Sequence, residues 1–461
     1  MIRSSDNNYE QSFVERPLPR TIGMKELIVR LLNENAFLKK QRTVFSVGEG
    51  LDRISLADLQ NKEEYCFVRQ FSRENLEGEL PRRRHLVLAN EYPSSSKQYA
   101  NGFVHRRVKL YQASGFDVDV VAFGKRVKPD VYIYDGVPVL SGYVNELIGL
   151  LSTYEYASVS VHFMNSDVWY VLKKVLPGDV PFAVFVHGYE VRNWSRLPYG
   201  IRDPKMLNGR IEKSLRNEDL WKELTASSSK VDKFFFVSDW WRTAAGEDLG
   251  IRFDPSRSAI VHNVIDGKIF SYEEKDADQR FKILWVRSAH AFNYGADIAA
   301  AVLRSLKDTI YWDKLQITII GDGQHFSEFD EFQKQPNVRV QRGFISQKEI
   351  ADLHKEHGLF LVPSRFDTQG VSRDEAMSSG LVPITNPVTA ISEFVDDSCA
   401  IQFEESRIFE AVEKIVAVFE SPELFVSMSR NAAQRVRAQS GPSNTVAKEI
   451  AVLLGKDSME I

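Results

Sequence analysis

The sequence predicts an α/β protein of two doubly wound parallel-sheet domains preceded by an N-terminal extension. Three observations carry this reading. Short apolar runs alternate with helical segments from His85 onward, the pattern of strands covered by helices on both faces. The alternation breaks at the charged stretch Ser271 to Arg280 (SYEEKDADQR) and then restarts, as two domains joined by a linker would. A chain of 461 residues also exceeds what one ordinary core serves. The expected division is an extension at 1–83, a first domain at 84–275 and a second at 276–461, with the last helix able to pack back on the first domain.

The elements follow in order. Residues 1 to about 20 are polar. From Met24 the apolar positions Met24, Leu27, Ile28, Leu31, Leu32 and Leu38 recur at helical spacing and predict an amphipathic helix. Residues 42 to 83 give no assignable pattern. First-domain strands are expected at His85–Asn90, Asp117–Phe123, Val131–Leu140, Val159–Met164, Phe182–His187, Phe234–Ser238 and Ala259–Asn263. A helix from about Phe103 to Ala113 ends at Gly115. Second-domain strands are expected at Ile283–Val286, Gln316–Ile320, Val338–Gln341, Leu359–Val362, Leu381–Thr385 and Ala400–Phe403. Helices are expected at about Ala296–Ser305, Gln347–His354 and Val371–Ser379, and three helical stretches close the chain.

Bulk properties exclude several classes. With 43% hydrophobic and 26% charged residues the chain is of ordinary globular composition. A formal net charge of −4 gives no ground for nucleic-acid binding. Cys66 and Cys399 are too far apart to form a metal or redox motif and suit a reducing compartment. No apolar run approaches the roughly 20 residues of a membrane span, and MIRSSDNNYE is no signal peptide. A cytoplasmic protein is expected. Arg82, Arg83 and Arg84 form either a solvated edge or a contact for anionic headgroups at the inner face of the membrane.

The richest stretch is Leu361 to Thr385, LVPSRFDTQGVSRDEAMSSGLVPIT, which reads as one β-loop-α-β unit. Free N–H groups and the helix dipole at such a junction favour an anion such as a phosphate. Asp367 and Glu375 bracket the junction with seven residues between them. A bland alternative exists, because Ser372 and Glu375 match the S-x-x-E capping box and Asp367 is a competent turn residue. A capping box needs no Gly370, whereas close backbone approach to a ligand does.

PSRFDTQGVSRDEAMSSGLVPIT resembles the signature of family-4 retaining glycosyltransferases of the GT-B fold, the glycosyl transferases group 1. The resemblance implies two Rossmann-like domains facing a cleft, the second binding a nucleotide sugar and the first the acceptor. It assigns Asp367 to the donor sugar's hydroxyls, the backbone at Gly370, Val371 and Ser372 to the donor phosphates, and Glu375 to the ribose. The family's first acid is usually Glu; Asp reaches about 1.5 Å less. YANGFVHRRVKLYQASGFDVDVVAFG is similar to the family's glycine-bearing loop and first helix, which places Gly102 beside the donor phosphate. His187, followed by Gly188, resembles the active-site histidine, while His162 reads as a core residue. KILWVRSAHAFNYGAD resembles the strand that carries an Arg and then a Lys toward the diphosphate. Arg287 matches the first; Phe292, Asn293 and Tyr294 stand where the Lys belongs, so Arg373, Arg106 or backbone N–H groups are expected to take its place.

Two further motifs are weighed and set aside. Gly321–Gly323 (GDG) lacks the remaining spacing of a dinucleotide fingerprint and reads as a strand-end turn. Asp117-Val-Asp119 alternates within a strand and reads as a structural pair. The resemblance implies no cofactor and no metal. The expected activity is transfer of a sugar from a nucleotide diphosphate to a saccharide, glycolipid or other hydroxyl acceptor, with retention, in polysaccharide or glycoconjugate synthesis. A non-catalytic sugar- or partner-binding protein of the same fold is the rival reading, with a nucleotide-sugar epimerase behind it.

Overall fold

The computed structural model describes residues 84–454, apart from 96, 98–99, 125–128 and 202. The helix expected from Met24, together with Arg82 and Arg83, lies outside the described residues. Arg84 is described: it is the first residue of a strand and pairs with Asp119, so it serves the sheet rather than a headgroup.

The first domain runs β1 (Arg84–Ala89), α1 (Gly102–Ala113), β2 (Val118–Phe123), β3 (Asp130–Tyr134), β4 (Val137–Gly142), α2 (Val144–Thr153), β5 (Tyr156–His162), α3 (Ser166–Val175), β6 (Phe182–Val186), α4 (Pro204–Thr225), β7 (Lys233–Phe236), α5 (Asp239–Leu249) and β8 (Ser258–Ile260). The second runs β9 (Lys282–Ser288), α6 (Ala296–Lys307), β10 (Gln316–Asp322), β11 (Val338–Arg342), α7 (Gln347–Glu356), β12 (Leu359–Leu361), α8 (Val371–Ser378), β13 (Val382–Thr385), α9 (Ile391–Phe394), β14 (Ile401–Gln402), α10 (Ile408–Glu420), α11 (Pro422–Ser440) and α12 (Val446–Leu454).

Two sheets result, ordered β3-β4-β2-β1-β5-β6-β7-β8 and β11-β10-β9-β12-β13-β14. Among the described strands every pairing is parallel except β3 with β4. Chain order reverses beside β1 in one sheet and beside β9 in the other, so the ends of these strands open the crevices where ligands bind in such sheets. Strands such as β2, buried along its whole length, are the continuous apolar runs that two-sided covering requires.

Two elements depart from the expectation. Val131–Leu140 is not one strand but the β3–β4 hairpin, turned at Asp135 and Gly136 with φ of 47° and 73°. Asp-Gly is the pair that a two-residue turn with both φ positive favours. The second is α4, a 22-residue helix whose buried side chains are Leu207, Leu220, Trp221 and Leu224. Its apolar stripe is too sparse to show as a period. Asp203 starts it by accepting from the Met206 N–H, with Pro204 at the first helical position.

The last helix, α12, lies on the first domain. Val446 and Ile450 enter the apolar cluster of Val87, Val104 and Val108. Between them Glu449, fully buried, accepts from Arg107 Nε at 2.9 Å and from the Tyr111 hydroxyl. Arg107 donates from its other two nitrogens to Asn263 Oδ1 and the His262 carbonyl, both at 2.9 Å. A buried ion pair is satisfied only while all its members stay, since removing one leaves a charge without a counter-ion. Among the described residues no helix is long and apolar enough to cross a membrane. Glu449→Ala is expected to cost about 3 kcal/mol of stability in urea unfolding; a loss under about 1 kcal/mol would show that α12 is not held this way.

Candidate functional site

The loop from Asp367 to Gly370 and the start of α8 meet the first domain across the cleft. Asp367 closes a turn by accepting from the Gln369 N–H at 3.2 Å and faces Arg287 at the end of β9, with Nη2 and Oδ2 3.3 Å apart. Arg287 also donates to the Pro363 carbonyl at 3.2 Å and lies over the Tyr294 ring. Turn residue and charged group are therefore the same side chain. Thr389 fixes the loop from behind, its hydroxyl accepting from the Asp367 N–H and donating to the Asp367 carbonyl.

Gly370, at φ 95°, caps α8 in the left-handed region, and a Cβ there would meet the Arg373 guanidinium at 3.0 Å. No side chain caps this helix, so the first-turn N–H groups at Val371 and Ser372 keep the anion-binding character of a helix start. The Ser372–Glu375 capping box does not form. Glu375 instead pairs with Arg106 of α1 on the other domain, both side chains buried. Burial raises the Glu375 carboxyl pKa and the Arg106 charge opposes that rise.

The expected substitute cations are both engaged. Arg373 turns inward and pairs with Asp374 at 2.7 Å, and Arg106 is held by Glu375. Asn293, where the Lys was missed, donates toward the Phe366 carbonyl at 3.5 Å. Among the described residues Arg106 and Arg373 still have buried nitrogens without a hydrogen-bond partner, Nε and Nη1 on Arg106 and Nη1 on Arg373, so they stand beside Arg287 and the α8 amides as groups able to meet an anion.

Opposite stands His187, just past β6. Its Nε2 shares a hydrogen bond of 2.9 Å with His162 Nδ1, so one ring donates and the other accepts. The ring lies against Phe103 and Phe163, and its carbonyl accepts from Thr368 Oγ1 at 2.7 Å. Burial holds both histidines well below the ordinary imidazole pKa, and the nearby Arg107 charge pushes the same way. Glu190 accepts from the N–H groups of His187 and Gly188 and is pushed up to about 7 by burial. Gly102 opens α1 next to Phe103; a Cβ on it would come within 3.0 Å of Gln347 Nε2 on the second domain.

All eight expected residues, Gly102, His187, Arg287, Asp367, Gly370, Val371, Ser372 and Glu375, thus line or border one junction between the domains. His162, read as a core residue, is buried but bonded to His187. Phe163 and Thr389, with φ of 64° and 53°, touch this junction through His187 and Asp367, and Asn101, with φ of 50°, directly precedes Gly102. Such backbone is costly for a side-chain-bearing residue and collects at functional sites. Gln369 was missed: buried at the junction, it accepts from the Asn263 N–H at 2.6 Å and donates to Asp374. Its neighbours are 106 and 5 residues away, so no local pattern marks it.

The fold is GT-B. Sucrose-phosphate synthase from Thermosynechococcus elongatus superposes with a TM-score of 0.61 at 15% identity, over 81% of this chain and 98% of that one. HepE from Anabaena, solved with UDP and glucose, gives 0.58 at 12%, over 81% and 100%. Residues 280–421 match the family described as glycosyl transferases group 1, from the start of β9 to the end of α10. An uncharacterized 41.2 kDa protein in the cps region of Klebsiella pneumoniae is 31% identical over 108 residues, 23% of this chain and 28% of that protein. The match to this curated relative thus spans under a third of its length.

Because the folded histidines stay neutral while unfolded ones protonate near pH 6.5, their contribution to stability is present above 6.5 and is lost as pH falls. The urea midpoint should drop from pH 7 to 5, and His162→Phe should flatten that drop. An unchanged slope in the variant would remove the pair as its source.

Proposed function

We propose that this protein transfers a sugar from a nucleotide diphosphate sugar to a hydroxyl acceptor with retention of configuration. The observation that carries this is the convergence of Arg287, Asp367 and the uncapped start of α8 on one wall of the cleft with His187 on the other. The match to glycosyl transferases group 1 over the second domain supports it.

The chemical need is to stabilise a departing diphosphate and a sugar with oxocarbenium character. Arg287 and the amides at Gly370, Val371 and Ser372 meet the charge that develops on the leaving phosphate, without reorganising. Asp367, held by its turn, Thr389 and Arg287, is placed for the sugar hydroxyls. Glu375 reaches the ribose once Arg106 releases it, which ties donor binding to movement of the two domains. His187 is neutral, so it supplies a hydrogen bond rather than a titrating proton. In the transfer step the C1–phosphate oxygen bond breaks and the C1–acceptor oxygen bond forms on the same face. The acceptor's proton passes to the leaving phosphate oxygen. No metal takes part in this reading, and a saccharide or glycolipid acceptor in polysaccharide synthesis suits it.

Two observations favour a second reading, a sugar-binding protein without turnover: Asn293 stands in the place of the expected Lys, and Arg106 pairs with Glu375. Turnover separates the two. Thermal shifts with UDP-, GDP-, dTDP- and CMP-sugars should identify a donor by a rise in melting temperature. Asp367→Asn and Glu375→Gln should each slow transfer or donor hydrolysis by about a hundredfold with the circular dichroism spectrum intact. Wild-type rates from both would remove the pair from the mechanism, and a thermal shift without turnover would leave the binding protein.

A further inference from the structure

Beside the junction lies a second hollow, of about 660 Å³, between the 189–214 segment of the first domain and the loops after β9 and β10 of the second. Its wall carries Arg192, Arg210 and Lys213, and no Asp or Glu is among its lining residues. That is notable in a chain with 63 acidic and 59 basic residues. Among the described residues none of the three cations is in an ion pair. Arg192 stacks over Phe366, Lys213 lies over the Tyr189 ring, and Arg210 donates to the carbonyls of Leu197 and Tyr199. Arg192 feels the charge of both Arg210 and Lys213.

The nearest acids offset part of this charge from behind the wall, Glu190 on both Arg192 and Lys213 and Asp248 on Arg192, but neither lines the hollow. Glu190 sits behind the wall, engaged by the amides of His187 and Gly188, and Asp248 is committed to Arg196 and the Asn193 N–H. Like charges held together on a half-buried wall repel until an anion joins them. Across the hollow the Tyr199 and Phe292 rings, 5.5 Å apart, come from different domains. Arg365 covers one face of Phe292, its guanidinium carbon 3.8 Å from the ring centroid, so a sugar ring meets this aromatic pair from the side that lines the hollow. Asn293 also lines the hollow, next to the Asp367 loop, while Arg287 and the α8 amides do not line it.

We infer that this hollow takes the acceptor and that the acceptor is an anionic saccharide, its ring against the Tyr199 and Phe292 faces and its anionic group on Arg192 and Lys213. This rests on the transfer reading above. The anion is a uronic carboxylate or a sugar phosphate, both of which a guanidinium and an ammonium bind through charge-assisted hydrogen bonds. The diphosphate of the donor stays with Arg287 and α8.

The test titrates the full-length protein, at low salt and with UDP present, with methyl glucuronide, glucose 6-phosphate and methyl glucoside as the neutral control. One anionic sugar should bind about tenfold or more tightly than the glucoside, and the gain should vanish near 0.5 M NaCl. Arg192→Gln, and the more exposed Lys213→Gln should the first fail to fold, should remove the gain and keep the thermal shift with UDP. Equal binding of charged and neutral sugars overturns the inference, as does a Lys213→Gln protein that loses the UDP shift but keeps the anionic preference. A nucleotide response without an anionic preference defeats this inference alone. An anionic preference without a thermal shift from any of the UDP-, GDP-, dTDP- and CMP-sugars upholds the chemistry of the hollow and defeats the transfer reading.

Discussion

A carboxylate buried between two domains must find a positive charge, and Glu375 finds Arg106. That ion pair crosses the cleft beside α8, and three further bonds across it accompany the pair: Thr368 to the His187 carbonyl, and Gln369 to both the N–H and the carbonyl of Asn263. Together they set how far the domains stand apart, and so whether Gly102 packs on Gln347 and whether His187 faces the Asp367 loop. Taking Glu375 off Arg106 without a replacement would leave both charges buried and unpaired, which costs far more than a surface contact. A ligand that offers hydroxyls to Glu375 and an anion to Arg106 supplies such a replacement. The closed cleft is thus held by groups that a nucleotide sugar can itself engage.

Much of the fold was legible because two-sided burial writes itself into composition. β9, β10, β12 and β13 lie within a residue or three of where apolar runs placed them. The same rule misled at Val131–Leu140, where apolar content on both sides of Asp135-Gly136 concealed a hairpin. α4 escaped for the opposite reason, since only four of its 22 residues are buried and the rest face solvent or the cleft.

The candidate site was legible where chemistry depends on backbone conformation and local spacing. Gly370 had to be glycine, and its left-handed φ agrees. What the spacing could not tell was direction. Arg373 is a cation three residues past Gly370, yet Asp374 next to it turns it inward. Ser372 and Glu375 match a capping box, yet a partner 269 residues away claims the Glu. Long-range pairing overrides local preference wherever a charge is buried, because the desolvation at stake exceeds a cap's contribution of about 1 kcal/mol. Arg192 was invisible for a related reason, since only the folding of the 189–214 segment within the first domain sets it beside Arg210 and Lys213.

The central claim is that Arg287 and the start of α8 hold a diphosphate. Calorimetric titration of UDP against uridine, with GDP against guanosine alongside, into the wild type and Arg287→Gln tests it most directly. One diphosphate should bind about a hundredfold or more tightly than its nucleoside, and Arg287→Gln should remove at least about tenfold of that preference. Equal affinity for nucleoside and diphosphate, or a preference untouched by Arg287→Gln, would contradict it.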